Sequence, residues 1–338
     1  MGKLGVIKAM NISRRRLAAI VVAPFLGHSA KAQGWPARPI IFTIPFQAGG
    51  SADLLARLVA ERMAPRLGPN ARVVVENRAG AGGIIGSEHV RRQPADGHAL
   101  LLATPSTHGT VPALQPATTP YDPVSDFTPI AILGRAPIAL AVPKDSPHGD
   151  ARALIEALRA APGRANWGSS GIGSVGHLAG ELMALMGGGL QAVHVPYRGG
   201  AGIAEALAKS EIQFAWEPLG SLAAGAKDGL FRILAMGSPN RHPLFPEVPA
   251  MREAALPGFE ASTWNLMLGP RGLPPEIVGR LSSIVNAVLA EADMIARLAA
   301  AGIDAVSDST PGRTAEFLAA EYAKFRDIVQ KAGLKISS

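Results

Sequence analysis

Hydrophobic positions along the chain switch repeatedly between two periods. PIIFTIPF (39–46) is an apolar, β-branched run that ends in a glycine turn, which predicts a buried strand. Leu54, Leu55, Leu58, Val59 and Met63 then recur at helical spacing up to Leu67-Gly68. ARVVVENR (71–78) and HALLLATP (98–105) read as strands with a short helix between them, and FTPIAILGRAPIALAVP (127–143) as one or two extended stretches. The alternation then restarts, with helices at 150–160, 175–186 and 201–209 and strands at 165–170, 190–197, 212–218 and 230–237. A proline-rich loop fills 239–251, a strand follows at 264–270, and three helical segments complete the chain. A βαβ rhythm favours parallel sheets with helices on both faces. Two such blocks without a linker predict two lobes joined by crossing strands, 33–133 plus 238–338 and 134–237. Ligands of open α/β sheets bind outside the carboxyl ends of the strands, so the post-strand loops carry the chemistry.

Composition narrows the class. With 338 residues, 48% hydrophobic and 17% charged, the chain buries a sizeable core and is not disordered. The absence of cysteine excludes disulfides, thiolate metal sites, cysteine nucleophiles and a lipidated amino-terminal cysteine. The net charge of +7 points at first to nucleic acid or an acidic membrane. Its location argues otherwise. Residues 1–16 are basic without an acid, 17–27 are apolar but too short to span a bilayer, and Ala30-Lys31-Ala32 matches a signal-peptidase site. Residues 1–32 therefore read as an export signal, and SRRRLA (13–18) resembles a twin-arginine signal. They hold six of the 33 basic residues, which leaves 27 against 26 acids and no nucleic-acid footprint. The expected location is the periplasm.

Four loops stand out. PFQAGGSAD (45–53) opens a helix whose free N–H groups suit a carboxylate or phosphate, and a plain turn capped by Ser51 explains the same residues. TPSTHGT (104–110) offers hydroxyls, or a polar turn with Ser106 or Thr107 as cap and a packed His108. GSSGIGSVGH (168–177) contains a formal G-x-G-x-x-G, but 182–204 lacks the acid that a dinucleotide fingerprint requires. It reads better as an anion cradle of backbone N–H groups with Ser169, Ser170 and Ser174. HVPYRGG (194–200) supplies Tyr197 as a wall and Arg198 as a carboxylate partner or a solvated loop charge. The histidines are scattered, so no metal site and no cofactor are expected.

PFQAGGSAD, ENRAGAGGIIG (76–86), ATPSTHG (103–109), GSSGIGSVGHLAGELM (168–183), HVPYRGG and PGFEASTWNLMLGPRGLP (257–274) occur in one order. Together they resemble the substrate-binding proteins of tripartite tricarboxylate transporters, the Bug-type extracytoplasmic receptors. The resemblance covers essentially all of the chain after the export signal. It implies an α/β, two-lobed periplasmic-binding-protein (Venus-flytrap) fold, each lobe a mainly parallel sheet flanked by helices. It implies a monomeric, non-enzymatic receptor that delivers a small organic acid to a large and a small membrane subunit. Carried over, Phe46, Gly50, Ser51, Ala52 and Asp53 belong to the first-lobe ligand loop, and Thr104 and Thr107 to its neighbour. Ser169, Ser170, Gly171 and His177 match the second-lobe glycine loop, and Tyr197, Arg198 and Gly199 the YRG turn.

Two departures matter. Ile84 stands where the family often has asparagine, and Ala206, Gln213 and Glu217 stand at three aspartate positions. Glu217 ends a strand; facing a cleft it would repel a second ligand carboxylate and accept from an amine or hydroxyl. Facing solvent it would have no such role. Two other functions remain open from the residues. One is an exported hydrolase using Ser170 or Ser174 with His177 as base and Glu181 as a third member. The other is a sensing receptor that feeds a signalling partner.

Overall fold

The computed structural model describes residues 34–49, 51–197 and 199–334. The export-signal reading therefore lies outside the described residues. The chain begins with β1 (Ile40–Ile44), α1 (Ser51–Leu67), β2 (Val73–Asn77), α2 (Ile84–Arg91), β3 (Ala99–Ala103) and α3 (Val111–Leu114). The long β4 (Phe127–Pro143) leads to α4 (Ala151–Ala160), β5 (Asn166–Ser169), α5 (Val175–Met186), β6 (Val193–Pro196), α6 (Gly200–Ala208), β7 (Phe214–Pro218), α7 (Leu219–Lys227) and β8 (Phe231–Met236). Then follow α8 (Met251–Ala254), β9 (Ser262–Pro270), α9 (Pro275–Leu289), α10 (Ala292–Ala300), β10 (Asp304–Ala305) and α11 (Pro311–Lys331).

Local chemistry sets the helix starts. Asp150 accepts from Ala153 N, Ser174 from His177 N and Thr310 from Arg313 N, each satisfying an N–H that its helix leaves free. Leu154, Ile155 and Leu158 form the buried face of α4, as their spacing requires.

The strands follow the order β2-β1-β3-β9-β4-β7-β5-β6, with β8 and β10 also pairing with β4. The segment 127–143 is one strand, because bulges in its pairing let it bend and change partners without ending. Residues 127–137 pair with β9, and 138–143 with β7 and β8. Its side chains alternate between core clusters, as a pleated strand demands: Ile138, Leu140 and Val142 enter one, Ala139 and Ala141 another. The outer strands are parallel (β1 with β2 and β3; β5 with β6 and β7), and the crossing strands β4 and β9 are antiparallel to their neighbours. Helix α11 braces the crossing: the Trp264 indole N–H of β9 donates to Glu321 Oε2 at 2.8 Å.

Register aims the loops. The carboxyl end of β3, Ala103, stands opposite Leu266, which pairs with Ile132 of β4. The carboxyl end of β7, Pro218, pairs with Ile138 of the same strand. β3 runs with β4 and β7 runs against it, so the two ends point at each other across six residues of β4, about 20 Å. β1 and β2 share the direction of β3, and β5 and β6 that of β7. All six post-strand loops thus converge on the middle of β4.

Candidate functional site

In the first half, Asp53 organises the loop after β1. Helix α1 begins at Ser51 itself, so Ser51 is a first-turn residue and not the cap. Asp53, one position past Ala52, is buried, and its carboxylate accepts from Gly49 N (3.0 Å), from Arg57 Nε and Nη2 (3.0 Å each) and from Asn77 Nδ2 (2.9 Å). The same Asn77 amide donates to Phe46 O at 3.1 Å, tying the end of β2 to the loop. The Arg57 guanidinium holds Asp53 well down, at about 2, against the cost of burial. Both oxygens are occupied, so Asp53 shapes the loop from beneath.

The three first-half loops meet at Gly83. Its φ of +96° is left-handed, and a Cβ there would come within 2.3 Å of Thr107 Cγ2, 3.3 Å of Pro45 Cβ and 3.6 Å of Phe46 Cζ. Only glycine lets the loops close together. Thr104 N donates to Thr107 Oγ1 at 3.0 Å, and His108 Nδ1 lies 2.9 Å from that hydroxyl. His108 is fully buried beside Tyr121 and Phe127, and desolvation pushes it down to about 3, so it is neutral packing. The buried Thr104 hydroxyl has no partner among the described residues and is an unspent donor.

In the second half, the glycine loop is held by neutral groups. Ser169 Oγ lies 2.7 Å from His194 Nε2, Ser174 Oγ donates to Ser169 Oγ at 3.3 Å, and Gly173 N donates to His177 Nδ1 at 3.1 Å. His177 and His194 stack at 4.3 Å against Trp167. Burial pushes both down to about 4, so both rings are neutral near pH 7. Gly171, at φ +122°, turns the loop beside Tyr197, whose N–H donates to Ser169 O at 2.9 Å. Tyr197 is half-buried, and Gly199 precedes α6 at φ +92°. Gly50 and Arg198 lie outside the described residues.

Glu217 does not face solvent. It is 2% exposed, and the Ser170 hydroxyl donates to its Oε2. Above Gly200 the chain leaves no room: a Cβ there would stand 2.4 Å from Ser221 Oγ and 2.8 Å from Glu217 Oε1. Desolvation raises Glu217 to about 7, and hydrogen bonds from Ser170 and Ser221 only partly oppose it. Helices α6 and α7 start beside this carboxyl without side-chain caps.

The hydrolase arrangement does not assemble. Ser174 Oγ receives the backbone N–H of His177, the imidazole Nδ1 accepts from Gly173 N, and Nε2 is 3.7 Å from Glu181. Among the described residues no serine hydroxyl donates to that ring as a base would require. The residues missed from sequence are Arg57, Asn77, Gly83, His194, Gly200 and Ser221. The Asp53–Arg57 pair was available from its i, i+4 spacing; the others come from distant segments.

This constellation sits in a fold of periplasmic solute receptors, and the chain matches their family. The profile described as "Tripartite tricarboxylate transporter family receptor" matches residues 55–334. The chain belongs to this family, which is one of substrate-binding receptors and not of enzymes. It is 33% identical to Protein BugT of Bordetella pertussis over 97% of this chain and all of that protein. Rpa4515 of R. palustris, solved with adipate, is 32% identical, with a TM-score of 0.76 over 89% of this chain and 99% of that chain. MatC of Rhodopseudomonas palustris, solved with bound malate, is 29% identical, with a TM-score of 0.73 over 87% of this chain and 100% of that chain. Periplasmic solute reception is thus the class of function.

Proposed function

We propose that this receptor binds a small organic dicarboxylate between the six converging loops and delivers it to the large and small membrane subunits of a tripartite tricarboxylate-type transporter. The observation that carries the reading is the aim of those loops at one stretch of β4 from opposite sides. One ligand carboxylate lies against the first-half loop, at Phe46, the start of α1 and the unspent Thr104 hydroxyl. The other meets the second-half cradle of Ser170, Gly171, Tyr197 and Gly199. Adipate and malate in two relatives support the ligand class. Residues 1–32 direct export and are removed, and the lobes 33–133 plus 238–338 and 134–237 close about β4 and β9 as hinges.

A thermal-shift screen tests this reading. Adipate or malate at a hundred times its Kd should stabilise the protein by about 2.7 kcal/mol. Stabilisation by sugars or cations, with none by any carboxylate, would refute it.

A further inference from the structure

Glu217 is a buried acid one residue before the end of β7, at the convergence of the loops, and the proposed delivery of a dicarboxylate gives it no role. We propose that Glu217 is a positioning residue that sets the hydrogen-bond polarity of the second-half cradle, so that a carboxylate ligand binds together with one proton. The proposal rests on the dicarboxylate reading above and goes beyond it.

Donors and acceptors around Glu217 set this polarity. An ionised carboxylate only accepts. With Glu217 ionised, the single hydroxyl hydrogen of Ser170 is committed to Oε2, and the half-buried Ser170 oxygen turns lone pairs towards the loops. Lone pairs repel an incoming carboxylate. When Oε2 takes a proton from solvent, Glu217 donates to Ser170 Oγ, and the Ser170 hydrogen is released to the ligand. The Oε2–H bond forms as a hydronium ion or buffer acid gives up its proton, and no other covalent bond changes.

The surroundings favour this exchange. Facing the carboxyl are Ser170 from the loop after β5, Ser221 from α7, Gly200 from α6 and, as the strand partner, Ala139 of β4. The titratable side chains on the surrounding elements are Arg135 of β4, His177 and Glu181 of α5, His194 of β6, Glu205 of α6 and Lys227 of α7. None of these forms an ion pair with Glu217: Glu205 pairs with Lys209, His177 stands nearest Glu181, and Arg135 lies over Phe317. Arg198 precedes Gly199 outside the described residues. Burial already raises Glu217 to about 7, and a ligand anion beside Ser170 favours the neutral acid further.

Calorimetric titration with adipate, and with malate as a second probe, in buffers of low and high ionisation heat counts the protons. Wild type should take up close to one proton per ligand near pH 8, and Kd should rise by up to about tenfold per pH unit above pH 7. Glu217→Gln should bind with no proton uptake and a flat Kd, since its amide donates to Ser170 at every pH. Infrared difference spectra of wild type should show a protonated carboxyl stretch appearing with adipate, which keeps the test open if the variant does not fold. Binding without proton uptake, or equal uptake by Glu217→Gln, overturns this proposal and leaves the dicarboxylate reading standing. No binding of either acid at any pH, with no other carboxylate stabilising the protein in the thermal-shift screen, overturns both.

Discussion

The two halves of the sheet hold their loops with buried carboxyls whose titration is shifted in opposite directions. Asp53 has a guanidinium, an amide and a backbone N–H on its two oxygens and stays charged to about pH 2. Glu217 has hydroxyl neighbours and is raised to about 7. Both side chains are covered, but the Arg57 hydrogen bond is the leading influence on Asp53 and desolvation the leading influence on Glu217. Arg57 outweighs desolvation for Asp53, and serine hydroxyls oppose it only in part for Glu217. The first half is a fixed cradle, and the second is held by groups that are neutral or can become so, including His177 and His194.

The largest expected effect comes from breaking the fixed half. Asp53→Ala should lower adipate affinity by more than about a hundredfold and stability by about 2 kcal/mol, a figure reduced because Arg57 is half exposed. Calorimetry and urea unfolding measure both. The folded pKa of Asp53 lies below its usual 3.8, so its stabilisation is present above about pH 4 and is lost as pH falls towards 2. A variant that still binds as wild type would show that the loop does not depend on its clamp.

The next effect concerns the titratable half. Glu217 has a folded pKa above its usual 4.5, so its contribution is fully present below about pH 4.5 and is lost as pH rises through 7. Glu217→Gln should therefore gain on wild type between about pH 4.5 and pH 8, by on the order of 2 kcal/mol in urea midpoints. A constant difference across that range would mean that Glu217 does not titrate there, and the contrast with Asp53 would collapse.

The smallest effect concerns a helix cap in the second half, read from urea midpoints. Ser174→Ala removes the cap of α5 and should cost about 1 kcal/mol. A loss as large as that of Asp53→Ala would mean that the glycine loop is held as firmly as the first-half loop.

Much of the fold was legible because hydrophobic period and glycine turns are local signals. The strand–helix alternation falls where the pattern places it, although the caps found at Asp150 and Ser174 were not read from it. The continuity of β4 was less legible, since an apolar run of 17 residues does not tell where its partners change. The proline-rich 239–251 region hid a parallel bridge from Met236 to Ala250. Within the site, the loops were legible and their internal partners were not. Asn77 reaches Asp53 across 24 residues, and His194 reaches Ser169 across 25.

The sequence by itself determined the class of fold and four of the loops, because turns and amphipathic periods are written in neighbouring side chains. Tertiary structure decided which acid is charged. Asp53 and Glu217 are both carboxylic acids beside a turn, and nothing local distinguishes them fully. The register of β1 with β2 brings Asn77 to Asp53, whereas the packing of α6 and α7 on β7 seals Glu217 among serines. The cation of Asp53 comes from its own helix at i, i+4, whereas the burial that raises Glu217 comes from other segments, which only the folded chain brings there.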